Sequence, residues 1–233
     1  MYDFRMSTPV VESVLTEQRS FPPAPAFAAT ARVRPDDLAV LHAEAAADPQ
    51  AFWAGLARAE IAWRKPFTEV LDESRAPNYR WFADGELNVS WNCLDVRLAD
   101  RGDKTAILFE GEPGDVRTLS YRELHAEVCR FANALKARGV ERGDRVVIYM
   151  PMVPEAVVAM QACARIGAIH SVVFGGFSAI SLKERIEDAG ARCLVTADGG
   201  RRGGQVIELK AAADKALADA VARGIRQDDH RAA

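Results

Sequence analysis

Residues 145–204 read RVVIYMPMVPEAVVAMQACARIGAIHSVVFGGFSAISLKERIEDAGARCLVTADGGRRGG. RVVIYM (145–150) is an unbroken apolar run, the pattern of a strand covered on both faces. Pro154 suits the first turn of a helix, because its missing N–H has no partner to lose there; that helix runs to Ile166. AIHSVVF (168–174) predicts a second strand, LKERIEDA (182–189) a second helix and RCLVTA (192–197) a third strand. Strand, helix, strand, helix, strand with short connections demands parallel pairing and right-handed crossovers. The fold class is therefore α/β, with a partial parallel βαβαβ sheet.

Moving towards the amino end, KTAILFEGEPGDVRTLSY (104–121) predicts a β-hairpin, with apolar runs on either side of a Pro113-Gly114-Asp115 turn. Ser120 and Glu123 have the spacing of a capping box. Beyond them Leu124, Val128, Phe131 and Leu135 mark one face of a helix that Gly139 ends. Residues 66–100 are rich in aromatics: Phe67, Tyr79, Trp81, Phe82 and Trp91. They read as a ligand platform or as a packing collar, and the collar is the more economical reading. Further back, Asp36 and Asp37 can cap one helix, and Asp48-Pro49 starts another that carries Phe52, Trp53, Leu56 and Ile61. Prolines at 22, 23 and 25 make residues 1–34 a proline-rich tail or extended strap. Residues 35–100 then form a helical, aromatic-rich segment, and 101–220 carry the hairpin, the helix and the βαβαβ run. At the carboxyl end QVIELK (205–210) predicts a short extended piece, AAADKALADAVAR (211–223) a helix by propensity, and 221–233 an irregular tail.

Composition bounds the function. Of the 233 residues, 49% are hydrophobic and 27% charged, enough to build a core. A net charge of −3, with acidic residues interleaved among the arginines, argues against a nucleic-acid partner. Cys93, Cys129, Cys163 and Cys193 form no CxxC pair and have no histidine at zinc-ligand spacing. Each sits in or beside an apolar segment, so they read as plain thiols of a reducing cytoplasm. The opening MYDFRMSTPVVESV lacks a basic start followed by an apolar stretch, which argues against a signal peptide. The most apolar region, 153–177, is broken by Glu155, Gln161, Arg165 and His170 and does not predict a membrane span.

Ligands of open parallel sheets bind beyond the carboxyl ends of the strands. Gly175-Gly176 follows the second strand there, and Gly199-Gly200 and Gly203-Gly204 follow the third, with Arg201 and Arg202 between them. Position and residue type suit phosphate recognition. Neither loop, however, matches a dinucleotide G-x-G-x-x-G or a GK[ST] phosphate loop, so plain turns with solvated arginines remain an open reading. His170 reads as a core or rim histidine, Asp198 as a turn former, and Glu155 as a carboxylate favouring a helix dipole. No catalytic set and no metal ligands can be assigned.

Longer runs add what spacing cannot. FWAGLARAEIAWRKPFTEVLDES, APNYRWFADGELNVSWNCLD, YRELHAEVCRFANALKARGVERGDRVVIYMPMVPEAVVAMQACARIGAIHSVVFGGFS and TADGGRRGG together resemble the N-terminal part of the AMP-forming acetyl-coenzyme A synthetases. Those enzymes belong to the adenylate-forming ligase superfamily. The proline-rich FPPAPAFAATA is similar to that family's lead-in, and the resemblance covers about residues 20 to 220. It implies the adenylate-forming fold and the family reaction: acetate and ATP give acetyl-adenylate and pyrophosphate, and the acetyl group passes to coenzyme A. It implies that TADGGRRGG holds the 3′-phosphorylated ADP end of coenzyme A through Arg202, flanked by Gly203 and Gly204. Gln205 stands where the family often has a second basic residue, which weakens that contact, and Gly175 and Gly176 lie near the same nucleotide.

The same resemblance implies that the ATP loop, the acetate pocket, the magnesium-binding residues and the catalytic lysine lie beyond residue 233. The IRQDDHRAA ending departs from the family's further strands, as in a truncated, frame-shifted or deliberately cut chain. The expected protein is inactive alone, limited to partial, weak coenzyme A contacts, and prone to self-association through an exposed sheet edge. A propionate or other short-chain acyl ligase piece, a non-catalytic interaction module and a nonfunctional remnant are the rival readings.

Overall fold

A computed structural model describes residues 20–221. Residues 1–19 of the expected strap and 222–233 of the expected tail lie outside the described residues. The chain divides into two units, and the division falls between Trp53 and Ala54.

The first unit holds short helices with proline at their starts. Helix α1 (Pro25–Ala29) occupies part of the segment expected to be extended. Pro25 presets the backbone for a first turn and three alanines follow within the five residues, so one turn of helix forms where prolines suggested none. In α2 (Pro35–Ala47) the Asp37 carboxylate accepts the Arg34 backbone N–H at 2.9 Å. Helix α3 (Pro49–Glu60) begins with Asp48 Oδ1 accepting from the Ala51 N–H, and it crosses the division between units.

In the second unit, a two-stranded piece, β1 (Leu71–Asp72) with β2 (Arg80–Trp81), frames an aromatic cluster. Phe67 is buried, and the rings of Trp63 and Phe82 pack at 5.1 and 4.4 Å from it. Asp84 ties this segment together by accepting from the Thr68 N–H and hydroxyl and from the Glu69 N–H. Those bonds favour the carboxylate and pull its pKa down to about 2. Helix α4 (Val89–Cys93), a 3₁₀ turn (Asp95–Arg97) and α5 (Leu98–Arg101) follow.

Strands β3 (Thr105–Glu110) and β4 (Val116–Ser120) pair as the expected hairpin. Ser120 and Glu123 make the capping box that starts α6 (Tyr121–Ala137), in which Leu124, Val128, Ala132 and Leu135 are buried. Then come β5 (Arg145–Met150), α7 (Pro154–Ile166), β6 (Ile169–Phe174), α8 (Ala179–Ala189) and β7 (Cys193–Thr196). The three strands are parallel in the order β6-β5-β7. Central β5 is covered on both faces. Val146 and Ile148 lie against α6 and α7, while Val147 and Tyr149 lie against α8 and the last helix. This is why RVVIYM reads as a continuous apolar run rather than an alternating one.

After β7 the structure departs from a simple loop. GRR and QVI form a second hairpin, β8 (Gly200–Arg202) with β9 (Gln205–Ile207). Its two connecting residues, Gly203 and Gly204, have φ of +61° and +75°. A two-residue hairpin of this twist needs left-handed backbone at both central positions, which glycine supplies without strain. Helix α9 (Leu209–Val221) then returns over the sheet, burying Leu209, Ala213 and Ala216. No helix among the described residues is long and apolar enough to cross a membrane.

Candidate functional site

Strand order determines where a crevice opens. The chain leaves β5 for β6 on one side and returns to β7 on the other, so successive connections diverge at β5. In such sheets the gap beyond the carboxyl ends of the strands is the binding position. A cleft of about 590 Å³ lies there. Met150 to Val153 after β5, Phe174 to Gly176 after β6 and Gly199 to Arg202 form one side of its lining. The Gly111–Pro113 turn of the β3–β4 hairpin forms another part. A larger hollow of about 710 Å³ sits by Gly139 to Arg142, at the amino end of β5, where strand-end ligands do not bind.

Of the sequence-predicted residues, Gly175, Gly176 and Arg202 line this cleft, and Gly203, Gly204 and Gln205 do not. The Arg202 guanidinium carbon lies 5.2 Å from the centroid of the Phe174 ring, so the arginine is held by a cation–π contact. Among the described residues no carboxylate forms an ion pair with it. Gly176 makes room for it: a Cβ there would stand 2.9 Å from Arg202 Nη1 and 2.8 Å from the Phe174 ring. Gly175 passes close to the backbone of β5, where a Cβ would meet the Met150 carbonyl oxygen at 3.2 Å. Gly203 and Gly204 form the exposed tip beside Arg202, and Gln205 faces Arg202 across the hairpin. Arg201 and Arg202 thus sit on a strand, not in the loop that their flanking glycines suggest. Regular pairing on β9 sets the spacing of their side chains.

Tyr149 is a positioning residue that sequence reasoning missed. Its hydroxyl donates to the Phe177 carbonyl oxygen at 2.8 Å, pinning the Gly-Gly turn from inside the core. Burial pushes its pKa up and keeps it a donor. A tyrosine near the end of a buried strand, whose hydroxyl needs a partner, is the signal that could have found it. Asp198 is a turn former: its carboxylate accepts the Gly199 N–H at 2.8 Å. His170 lies exposed on β6, at the rim of the sheet. The Glu155 carboxylate, in the first turn of α7, accepts from Arg117 Nη1 of β4 at 2.7 Å.

A second polar cluster lies away from the cleft. Arg165 donates two hydrogen bonds to Asp95, at 2.6 and 2.8 Å, and His125 Nε2 lies 3.1 Å from the same carboxylate. Cys129 Sγ lies 3.6 Å from that same ring nitrogen. A nucleophile relay needs the nucleophile and the orienting carboxylate on opposite nitrogens of the imidazole base. Here both partners crowd Nε2, so the cluster is a staple joining the 3₁₀ turn to α6 and α7. Cys163 is fully buried, and desolvation pushes its thiol up to about 11, away from reactivity.

Two stretches of the chain match family models of known proteins. Residues 94–232 match the family model of AMP-binding enzymes, and residues 39–93 match that of the acetyl-coenzyme A synthetase N-terminus. The acetyl-coenzyme A synthetase of Thiobacillus denitrificans is 65% identical over 209 residues, covering 89% of this chain and 32% of its own length. That of Methylobacillus flagellatus is 62% identical over the same number of residues and the same shares. That of Laribacter hongkongensis is 58% identical over 217 residues, 91% of this chain and 32% of its own. The chain spans about a third of the length of the curated relatives it matches.

Proposed function

The chain belongs to the AMP-binding enzyme family, and from that premise we propose that it is the amino-terminal part of an AMP-forming acetate–CoA ligase. Its cleft contributes contacts to the phosphorylated nucleotide end of coenzyme A. One observation carries this reading: Arg202, without a carboxylate partner among the described residues, lies over Phe174 beside Gly176 at the carboxyl edge of a parallel sheet. A guanidinium free to make paired N–H bonds, next to glycine backbone that a ligand can approach closely, is a phosphate-binding arrangement.

The reaction of the whole ligase needs more than this cleft. The sequence contains no Ser/Thr/Gly-rich loop ending in lysine for ATP. No group of three metal-ligating side chains converges among the described residues. We assign ATP, magnesium and acetate handling to the relatives' remaining length and expect no turnover from these residues alone. The four free thiols suit a reducing cytoplasm, where we locate the protein.

The magnitude of binding follows. A charge-assisted hydrogen bond contributes about 1.5–3 kcal/mol net, whereas millimolar affinity already needs about 4 kcal/mol. Arg202 and a few amides hold coenzyme A at millimolar strength or weaker. Ligand-observed NMR titration of coenzyme A and dephospho-coenzyme A checks this. The 3′-phosphate should improve binding, and Arg202→Ala should remove most of that advantage. Equal binding of both ligands by the wild type, or an unaffected Arg202→Ala, overturns the assignment. Hydroxamate formation with acetate, ATP and magnesium should stay at the blank, and turnover above it would refute the inactive reading.

A further inference from the structure

The walls of the cleft differ in charge. Arg201 and Arg202 line one side, on β8, and Glu110, Glu112 and Asp115 line the other, on the β3–β4 hairpin. Arg117 also lines it, but its guanidinium is paired with Glu155. The two hairpins are linked at their tips, where the Gly204 N–H donates to Glu112 Oε1 at 3.0 Å across 92 residues of sequence. Gly204 is left-handed and open: a Cβ there would meet nothing within 4 Å. Its amide stands two residues from Arg202 and is bonded to Glu112, and both of these residues line the cleft. An anion gripped by that guanidinium would find this amide as a second donor.

Resting on the assignment of the cleft to coenzyme A, we propose that Glu112 is a placeholder for the ligand's phosphate. Its carboxylate occupies the Gly204 amide and must yield it when a phosphorylated ligand binds. Two effects then act against the ligand. Carboxylate and phosphate compete for one N–H, and they repel each other when both are near. Glu112 is exposed, so water and salt screen the repulsion and the opposition is modest. Glu112 therefore tunes affinity and favours release, while Arg202 supplies the attraction.

The alternative is a clasp, in which Glu112 only ties the hairpins together. The two differ in sign. Glu112→Gln keeps an acceptor for Gly204 but drops the charge, and Glu112→Ala removes both. A placeholder predicts that Glu112→Gln tightens coenzyme A by about threefold at low salt, with a smaller gain for dephospho-coenzyme A and a narrower gap at high salt. Glu112→Ala should tighten it at least as much. A clasp predicts no change for Glu112→Gln and weaker binding for Glu112→Ala, and either result overturns the proposal. Far-UV circular dichroism melts of each variant verify the fold.

Arg202→Ala is titrated in parallel. If the 3′-phosphate advantage depends on Arg202 while both Glu112 variants bind as the wild type does, the placeholder fails and the site stands. If Arg202→Ala binds as the wild type does, the site assignment fails and takes the placeholder with it.

Discussion

Asp95 is held by Arg165 through two hydrogen bonds and is approached by His125, and these partners keep its carboxyl below the usual range. The sign of the consequence is set by linkage. An unfolded aspartate titrates near 3.9, so the staple's contribution is complete above about pH 4 and is lost as acid protonates the folded group. Both Asp95 and Arg165 are mostly shielded, with side-chain exposures of 20% and 25%. Asp95→Asn should cost about 1–2 kcal/mol at neutral pH, less than the 3–5 of a fully buried pair. It should also flatten the loss of stability below pH 4, as urea unfolding at pH 7 and pH 3.5 would measure. An equal slope for wild type and variant would remove Asp95 from the acid response. The role expected of Arg202 came from the family resemblance, while Gly175 and Gly176 were legible in the sequence as a turn because glycine pairs punctuate strand ends. Asp95 was not, since its partners lie 30 and 70 residues away and only helix packing brings them together.

Among the elements, the β8–β9 hairpin gives Arg202 a fixed position. Its strands are three residues each, too short to show a hydrophobic period, so the double glycine was visible as a turn and QVI as an extended piece, but GRR was not visible as its partner strand. Gly203→Asn should be tolerated, because asparagine adopts left-handed backbone readily. Gly203→Val should strain the turn by about 1–2 kcal/mol and open the hairpin. The valine variant should bind coenzyme A less well than the asparagine variant, although Arg202 is intact in both. Faster amide exchange confined to residues 200–207 would identify the cause, and equal binding by both variants would show that hairpin order is not required. Some longer elements were legible from end to end, whereas α8 begins three residues before its expected start and α9 takes in Leu209 and Lys210 of the expected extended piece. β5 and α7 have the bounds their apolar run and proline predict, because a strand buried on both faces and a proline-started helix leave strong local marks.

Over the molecule as a whole, β6 is the uncovered side of the sheet. The other edge strand, β7, is better covered, with all four of its residues half-buried. On β6, by contrast, Ile169, Val172 and Phe174 are 57%, 55% and 50% exposed. Val172 is in register with Ile148, on the face that α6 and α7 cover over β5 but not over β6. An exposed apolar edge strand is a template for another chain. We expect the mass measured by light scattering to rise with micromolar concentration, and Val172→Lys to suppress that rise without lowering the melting temperature. A concentration-independent monomer in the wild type would exclude this edge as a contact.

By itself the sequence determined the α/β class, the order of the main strands and helices, the capping box, and the glycine turns at the strand ends. All of these are written in local periodicity and turn chemistry, which act between neighbours along the chain. Tertiary structure alone decided that β5 is central and β6 exposed, that Arg202 rests on Phe174 and that Glu112 reaches Gly204. It also decided that Tyr149 pins the glycine turn. Those contacts join segments far apart in sequence, and they exist only after strand order has brought the segments to one edge of the sheet.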